Sequence, residues 1–320
     1  MARIASLGSA LQDIYLIDHD DLVATPINKT TVYGHLQVGS KIDIDRISFE
    51  IGGGGINSAI TFARHGHEAV FIGNISHDPA GEAIISALDK ENIDSSYVNF
   101  LDQKSTGTSI ILLDQRSGER TILTHRGASS QFNNFDEDIL DSIRPDWLYV
   151  TSLRGDFDTL NRFFKKANSL GTRIMFNPGS EEIKVPDSLS NLFKYIDTLI
   201  VNQTEASSIA PGSNLKELII NLKNYCKSVI ITAGAMGGIA SLDGEIYQFA
   251  TYEDKPPRDA TGAGDAYGSG FLAHLASGKS FEESLIFASA NSTSVVTEIG
   301  ANKGILTGRE PLRQMPIHKL

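Results

Sequence analysis

Short apolar runs recur along the chain, separated by stretches whose apolar positions fall at helical spacing. Residues 4–8, 70–73, 147–150, 174–176, 199–201 and 229–231 each read as a buried strand. Each is short, rich in β-branched or aromatic side chains, and bounded by Gly, Asn, Pro or Thr. Between them, residues 57–65 put Ile60, Ala63 and Arg64 on one face and meet a stop at Gly66. Residues 158–170 gather Leu160, Phe163, Phe164 and Ala167 and stop at Gly171, and residues 215–226 carry Leu218, Ile219, Leu222 and Tyr225. This alternation predicts an α/β protein with a mainly parallel sheet covered by helices on both faces.

Two segments break the pattern. From about residue 14 to 51, apolar and polar positions alternate without a helix, as in Thr31-Val32-Tyr33 and Ile42-Asp43-Ile44-Asp45. Residues 107–124 read as an antiparallel hairpin turning at 115–118. A small second sheet set against the main one as a lid, built from segments near 14–50 and 105–125, accounts for both. No repeat or low-complexity linker divides the chain, so residues 1–320 read as a single domain.

Charge narrows the partners. Lys and Arg number 28 and Asp and Glu 39, a net charge of −11. That balance argues against nucleic acid or an anionic membrane as the main partner, while leaving room for a small anion in a local pocket. A single cysteine, Cys226, allows no disulfide framework and reads as a core residue on a helix. The N-terminal residues lack the apolar run of a signal peptide and no stretch matches a membrane helix, so a cytoplasmic location is expected.

In open α/β sheets, ligands bind beyond the carboxyl ends of the strands. Asn177, Asn202 and Thr232 follow three of the strand runs and are small polar groups at such ends. The strongest signal lies further on, in Asp259-Ala260-Thr261-Gly262-Ala263-Gly264-Asp265, which opens a helix-like run stopping at Gly278. A glycine loop at a helix N-terminus turns amides toward an anion. Asp265 beside it fits a carboxylate that accepts the proton of an attacking hydroxyl in phosphoryl transfer. Its place at the positive end of the helix predicts a lowered pKa. A plain N-cap aspartate is the competing reading.

Weaker signals agree with it. Gly52-Gly53-Gly54-Gly55-Ile56-Asn57 leads into a helix and lets a ligand approach the backbone; it departs from G-x-G-x-x-G because Asn57 replaces the third glycine. Asn202 and Glu205 are three apart at a helix start, suited to Mg²⁺ held through water or simply to helix capping. The loop from Thr232 through Gly234 to Gly237 could wrap a nucleotide or be an ordinary turn. Asp13 shortly follows the first strand and could bond a hydroxylated ligand. The eight histidines show no metal-ligand spacing.

Together and in this order, the motifs resemble the ribokinase-like, or PfkB, family of carbohydrate kinases across essentially the whole chain. The 52–57 run resembles the first family signature, residues 73–81 the segment after it, with Ser76 where Gly is usual, and 259–271 the C-terminal signature. The resemblance implies a three-layer α/β/α fold with a β lid, and transfer of the ATP γ-phosphate to an alcohol. It implies Asp265 as base, with Gly262, Ala263 and Gly264 alongside it in an anion hole. Asp13, Gly53, Gly54 and Asn57 would hold the substrate. Asn177, Asn202, Thr232, Gly234, Gly237 and Ser289 would lie at ATP, and Glu205 at Mg²⁺. Asp259, Thr261 and Gly300 match a region where some members hold a monovalent cation such as K⁺. Lys is common where Gly54 stands, so a phosphorylated substrate is less well served here unless Arg120, Arg126 or Arg154 compensates.

The sequence therefore predicts an ATP- and Mg²⁺-dependent kinase acting on a primary hydroxyl of a small sugar. The alternatives are a nucleoside kinase or a sugar-phosphate kinase, and from other classes a non-catalytic sugar- or nucleotide-binding regulator or a dinucleotide-dependent oxidoreductase. Exposed lid edges would favour a homodimer through the lid.

Overall fold

The computed structural model describes residues 1–17, 23–26, 32–35, 38–114, 119–252 and 257–320. The strands are β1 (Arg3–Leu7), β2 (Leu11–Ile17), β3 (Val23–Pro26), β4 (Val32–His35), β5 (Arg46–Gly52), β6 (Glu68–Ile75), β7 (Asp94–Phe100) and β8 (Gly107–Asp114). They continue as β9 (Glu119–His125), β10 (Trp147–Val150), β11 (Arg173–Phe176), β12 (Thr198–Asn202), β13 (Ser228–Thr232), β14 (Gly238–Leu242), β15 (Glu245–Phe249) and β16 (Ile317–Lys319). All six apolar runs singled out in the sequence are strands of one ten-stranded sheet, in the order β16-β15-β14-β13-β12-β11-β10-β1-β6-β7. From β7 to β13 every pairing is parallel, and β14, β15 and β16 close the edge antiparallel.

Strand periodicity divides the core in two. Leu148 and Val150 of β10, Ile174 and Phe176 of β11, and Val229 and Ile231 of β13 face one core. Their neighbours Tyr149, Met175 and Ile230 face the other. The first core is covered by helices that include Phe157–Ser169, whose Leu160, Phe163, Phe164 and Ala167 are fully buried. At roughly 1.5–3 kcal/mol for each large apolar side chain removed from water, this stripe rather than helix propensity holds the helix in place. The second core is covered by Gly54–Arg64, Pro79–Lys90, Ala263–Ala276 and Phe281–Val296. The fold is thus the expected three-layer α/β/α arrangement.

Boundaries differ where side chains decide them. The helix after the glycine run starts at Gly54, not Asn57, so two of the glycines lie inside its first turn. The helix expected over 215–226 forms as Leu215–Leu222 and ends short of Tyr225, which is exposed and stacks on Phe193 at 4.9 Å. Cys226 is buried as expected, but past the helix end.

The pattern-breaking segments form a second sheet of four strands, ordered β5-β2-β8-β9, and a separate pair, β3 with β4. Of the sequence expectations, Thr31 and the turn at 115–118 lie outside the described residues, and residues 42–45 are not in a strand. One face of the four-stranded sheet buries Tyr15, Ile17, Ile111 and Leu113 beside Ile299. The register places Phe49, Ile14, Ile110 and Leu123 in one row across the other face. Phe49, Ile110 and Leu123 in that row, and Ile47 beside it, are exposed.

Three histidines pack together against Phe287. His65 lies 5.7 Å from His67 and 5.4 Å from His274, and His274 stacks on Phe287 at 4.7 Å. The Ala2 amide donates to Nδ1 of His67, so its Nε2 carries the proton and donates to Ala273 O at 2.8 Å. Burial lowers the pKa of all three, that of His65 to about 4. A base kept neutral in the fold takes up fewer protons than in the unfolded chain, so stability falls as pH drops from 6.5 toward 4. We expect His65→Gln to lose about 1–2 kcal/mol less than the parent between pH 7 and pH 5, the figure being reduced for the ring's partial exposure. Urea midpoints at the two pH values measure this, and equal losses in both proteins would contradict it.

Candidate active site

The carboxyl ends of β10, β11 and β12, with the turn after β1, open onto one cleft of about 270 Å³. Ser9 follows β1, Thr151 follows β10, Asn177 follows β11, and Glu205 stands one turn past β12; all four line it. Asp265 and Gly54 close it from two helix N-termini. Of the three strand-end residues singled out in the sequence, Asn177 lines this cleft, whereas Asn202 and Thr232 are not among its lining residues.

Asp265 lies in the first turn of Ala263–Ala276. Its Oδ2 accepts a hydrogen bond from Asn57 Nδ2 at 2.9 Å, which joins the two glycine-rich motifs across 208 residues of sequence. Asn302 donates in turn to Asn57 Oδ1 at 3.3 Å and to Ile51 O at 2.6 Å, fixing the orientation of the Asn57 amide. The helix's first full-turn bond runs from Ala266 N to Gly262 O, so the amides of Gly264 and Asp265 precede any intrahelical acceptor. The Ala263 amide makes only a 3.4 Å contact with Ala260 O. These are the orphan donors that an anion would satisfy.

Burial pushes the Asp265 carboxyl above its usual pKa, and the Asn57 bond only partly offsets it. The lowered value expected from the helix end is thus overturned: desolvation outweighs the favourable partners.

Two glycines in these loops have steric causes. Gly53 sits at φ 98°, and a Cβ there would lie 2.5 Å from Ser9 O. Gly262 sits at φ 77° with Ala301 in the way of any Cβ. Gly264, by contrast, faces open space. Gly54 brings its helix start against Thr151 and Asp265, and its amide donates to Ser9 Oγ at 3.2 Å.

Asp13, on β2, is buried beneath the glycine run, its Oδ2 2.0 Å from where a Cβ on Gly52 would stand. Burial raises its pKa to about 6; the Ser109 hydroxyl opposes this, while Asp259, Asp265 and Glu50 push the same way. Asp259, Thr261 and Gly300 do meet, but as a hydrogen-bonded knot. Asp259 Oδ1 accepts from the amide and hydroxyl of Thr261 at 2.9 and 2.6 Å, and Oδ2 from Tyr15 Oη at 2.8 Å and the Gly300 amide at 3.3 Å. Arg120 Nε stands 3.7 Å from Oδ1. Donors and a guanidinium surround this carboxylate, so the arrangement does not fit the K⁺ site that the sequence suggested.

After β12, Asn202 and Glu205 form a capping box: Asn202 Oδ1 accepts from the Glu205 amide and Glu205 Oε2 from the Asn202 amide. Glu205 also lines the cleft, its Oε1 has no bonding partner among the described residues, and burial raises its pKa. Asn177 donates to Ile200 O at 3.0 Å and lines the cleft. Thr232 ends β13, and Gly234 at φ 56° has open space around it. Gly237 and Ser289 have local explanations. A Cβ on Gly237 would come within 2.1 Å of Phe249 O, and the Ser289 hydroxyl accepts the Tyr252 amide at 3.0 Å.

The profile of the pfkB family carbohydrate kinases matches residues 1–307. The chain belongs to the pfkB family of carbohydrate kinases. It is an ATP-dependent kinase of that family. Ribokinase from Haemophilus influenzae is 29% identical over 272 residues, covering 82% of this chain and 86% of its own length. The structure of Arabidopsis thaliana ribokinase complexed with ribose and ATP superposes with a TM-score of 0.79 at 23% identity, covering 95% of both chains. A nucleoside kinase of the ribokinase family from Methanocaldococcus jannaschii gives 0.75 at 18% identity and 95% coverage of both. The oxidoreductase alternative falls with the family assignment.

The kinase cleft also contains residues that sequence reading left unassigned. Ser9, Thr151 and Ser152 follow strands just as Asn177 does, so the same rule applied to β1 and β10 finds them. Glu182 carries no such signal. Its buried carboxylate accepts from Gly155 N, Gly179 N and Ser152 Oγ at 2.8–2.9 Å, tying the turns after β10 and β11 together. We expect Gly53→Ala to destabilise the kinase by roughly 2 kcal/mol, from left-handed strain and the clash with Ser9. Gly264→Ala should leave stability within about 1 kcal/mol. Denaturant unfolding of both variants checks this, and equal losses would contradict the steric account.

Proposed function

We propose that this kinase transfers the γ-phosphoryl group of ATP to a primary hydroxyl of a small sugar, with Asp265 as the base. The observation that carries this reading is the Asp265 carboxylate held by Asn57 beside the unpartnered amides of Gly264 and Asp265. The acceptor hydroxyl gives its proton to Asp265, its oxygen bonds to the γ-phosphorus, and the bond to the β-phosphate oxygen breaks to release ADP. Those amides face the charge on the transferring group, with Gly262 and Ala263 shaping the turn. Asp13, Gly53, Gly54 and Asn57 lie on the acceptor side, and Asn177, Asn202, Thr232 and Gly234 on the nucleotide side.

Bound Mg²⁺ would neutralise phosphate charge. Glu205, with one carboxylate oxygen unspent, is suited to hold it through water. The four-stranded sheet would act as a lid that excludes water from the reaction. The curated relatives that the chain matches include ribokinases and fructokinases, which supports a sugar over a nucleoside. A silent regulator would need neither the positioned carboxylate nor the open amides.

Asp265→Asn should lower kcat by about 1,000-fold or more while ATP binding and thermal unfolding stay at parental values. Since the base acts ionised and burial raises its pKa, the parent's kcat/KM should fall on the acid side, above the usual carboxylate range. ADP release from a panel of sugars and nucleosides tests both, and near-parental turnover by the variant would overturn the assignment.

The exposed row Phe49, Ile110 and Leu123 supports a homodimer through the face of this sheet, rather than through its edges as the sequence suggested. Light scattering should give twice 34.6 kDa for the parent and a single 34.6 kDa chain for Phe49→Glu with Leu123→Glu. A monomeric parent would contradict it.

A further inference from the structure

Of the three arginines singled out in the sequence, one is committed elsewhere: Arg120 stands against Asp259. Arg126 and Arg154 line the same cleft as Asp265. Among the described residues neither guanidinium has a hydrogen-bond or ion-pair partner, although the chain carries 39 acidic residues. The two are near enough that Arg154 disfavours the charge on Arg126. Glu181, whose carboxylate feels the charge of Arg154, is already bonded to Lys184 at 2.8 Å.

Arg154 is also held in place at a cost. Its backbone lies at φ 59°, a left-handed conformation that is strained for a residue other than glycine. The Ser152 hydroxyl accepts its amide at 3.1 Å, and buried Glu182 accepts both that hydroxyl and the Gly155 amide. Arg126 opens the turn after β9, where the Ser129 hydroxyl, also at the cleft, bonds its carbonyl. Glu181, Glu205 and Asp265 line the same cleft, but among the described residues none of these carboxylates pairs with either guanidinium, and an anionic group on a ligand would match the two cations. The turn that carries Arg126 packs on Gly107 and Leu11, at the starts of β8 and β2, and β2 is the strand that bears Asp13.

We propose that the acceptor is an anionic sugar derivative, whose carboxylate or phosphate is held by Arg126 and Arg154 while its free primary hydroxyl meets Asp265. This rests on the kinase reading of the site and specifies its substrate class. It also replaces the unphosphorylated neutral sugar favoured by Gly54, because the missing lysine charge is supplied from two other loops.

The test compares a neutral ketohexose, the ketose 6-phosphate with its C1 hydroxyl free, and a 2-keto-aldonic acid with its terminal hydroxyl free. One anionic compound should exceed the neutral sugar about 100-fold in kcat/KM, and which one it is distinguishes phosphate from carboxylate. Arg126→Ala and Arg154→Ala should each raise its KM about 10-fold or more, leave kcat nearly unchanged, and leave the KM for ATP within about threefold. A neutral sugar as the best acceptor, or a rise confined to the KM for ATP, overturns the proposal while the kinase reading stands. If no compound yields ADP, the kinase reading fails for these acceptors. Calorimetry with the same two anions then decides the arginine site: binding lost in the arginine variants supports it, and no binding by the parent overturns it.

Discussion

The hydrogen bond from Asn57 to Asp265 is the constraint around which the molecule is arranged. A carboxylate placed at the mouth of a buried cleft is costly to keep charged, and burial does raise its pKa. A neutral amide partner lessens that cost without supplying a counter-ion that would quench a base. The partner must then come from a second helix whose own N-terminus faces the first. That requirement brings Gly54–Arg64 and Ala263–Ala276 side by side over one face of the sheet. Ser269 Oγ donates to Thr61 Oγ1 at 2.8 Å within the contact, and Asn291 of Phe281–Val296 donates to Ala266 O. Polar bonds inside an otherwise apolar layer fix the axial register of the helices, which packing alone would leave free to slide.

Much of this was legible because it depends on local period and on glycine. Six strands follow from their apolar composition, and the cleft from the rule that parallel strands present their carboxyl ends to ligands. The bond between Asn57 and Asp265 was not legible, because the sequence assigned Asn57 to the substrate and only the packing of the two helices brings the side chains together. What the sequence did not disclose is set by long-range geometry. Glu182 has no motif, yet three donors from two turns converge on it. Asn302 is equally silent, although it orients Asn57. The sign of the Asp265 shift also escaped, since helix position is local while desolvation depends on everything packed above it.

Asp259 shows how one carboxylate can serve the architecture rather than a ligand. It joins the loop before the Asp265 helix to Tyr15 on β2 and to Arg120 on β9, and it receives the Gly300 amide from the chain after Phe281–Val296. A cation would need lone pairs that these donors already occupy. The carboxylate therefore ties the four-stranded sheet to the loop before Asp265 directly, through side chains of two of its strands.

That tie affects how the sheet and the cleft communicate. Tyr15 also belongs to the buried face of the sheet, beside Ile17, Ile111 and Leu113, so its hydroxyl cannot leave Asp259 without disturbing that face. Asp13 lies two residues earlier on the same strand, buried under the glycine run. A displacement of β2 would move both groups at once, changing the hydrogen bonding of Asp259 and the charge environment of Asp265 through Asp13. Strand β2 is thus built into the electrostatics of the cleft, and a shift of that strand would be felt at Asp265, the carboxylate proposed above as the base.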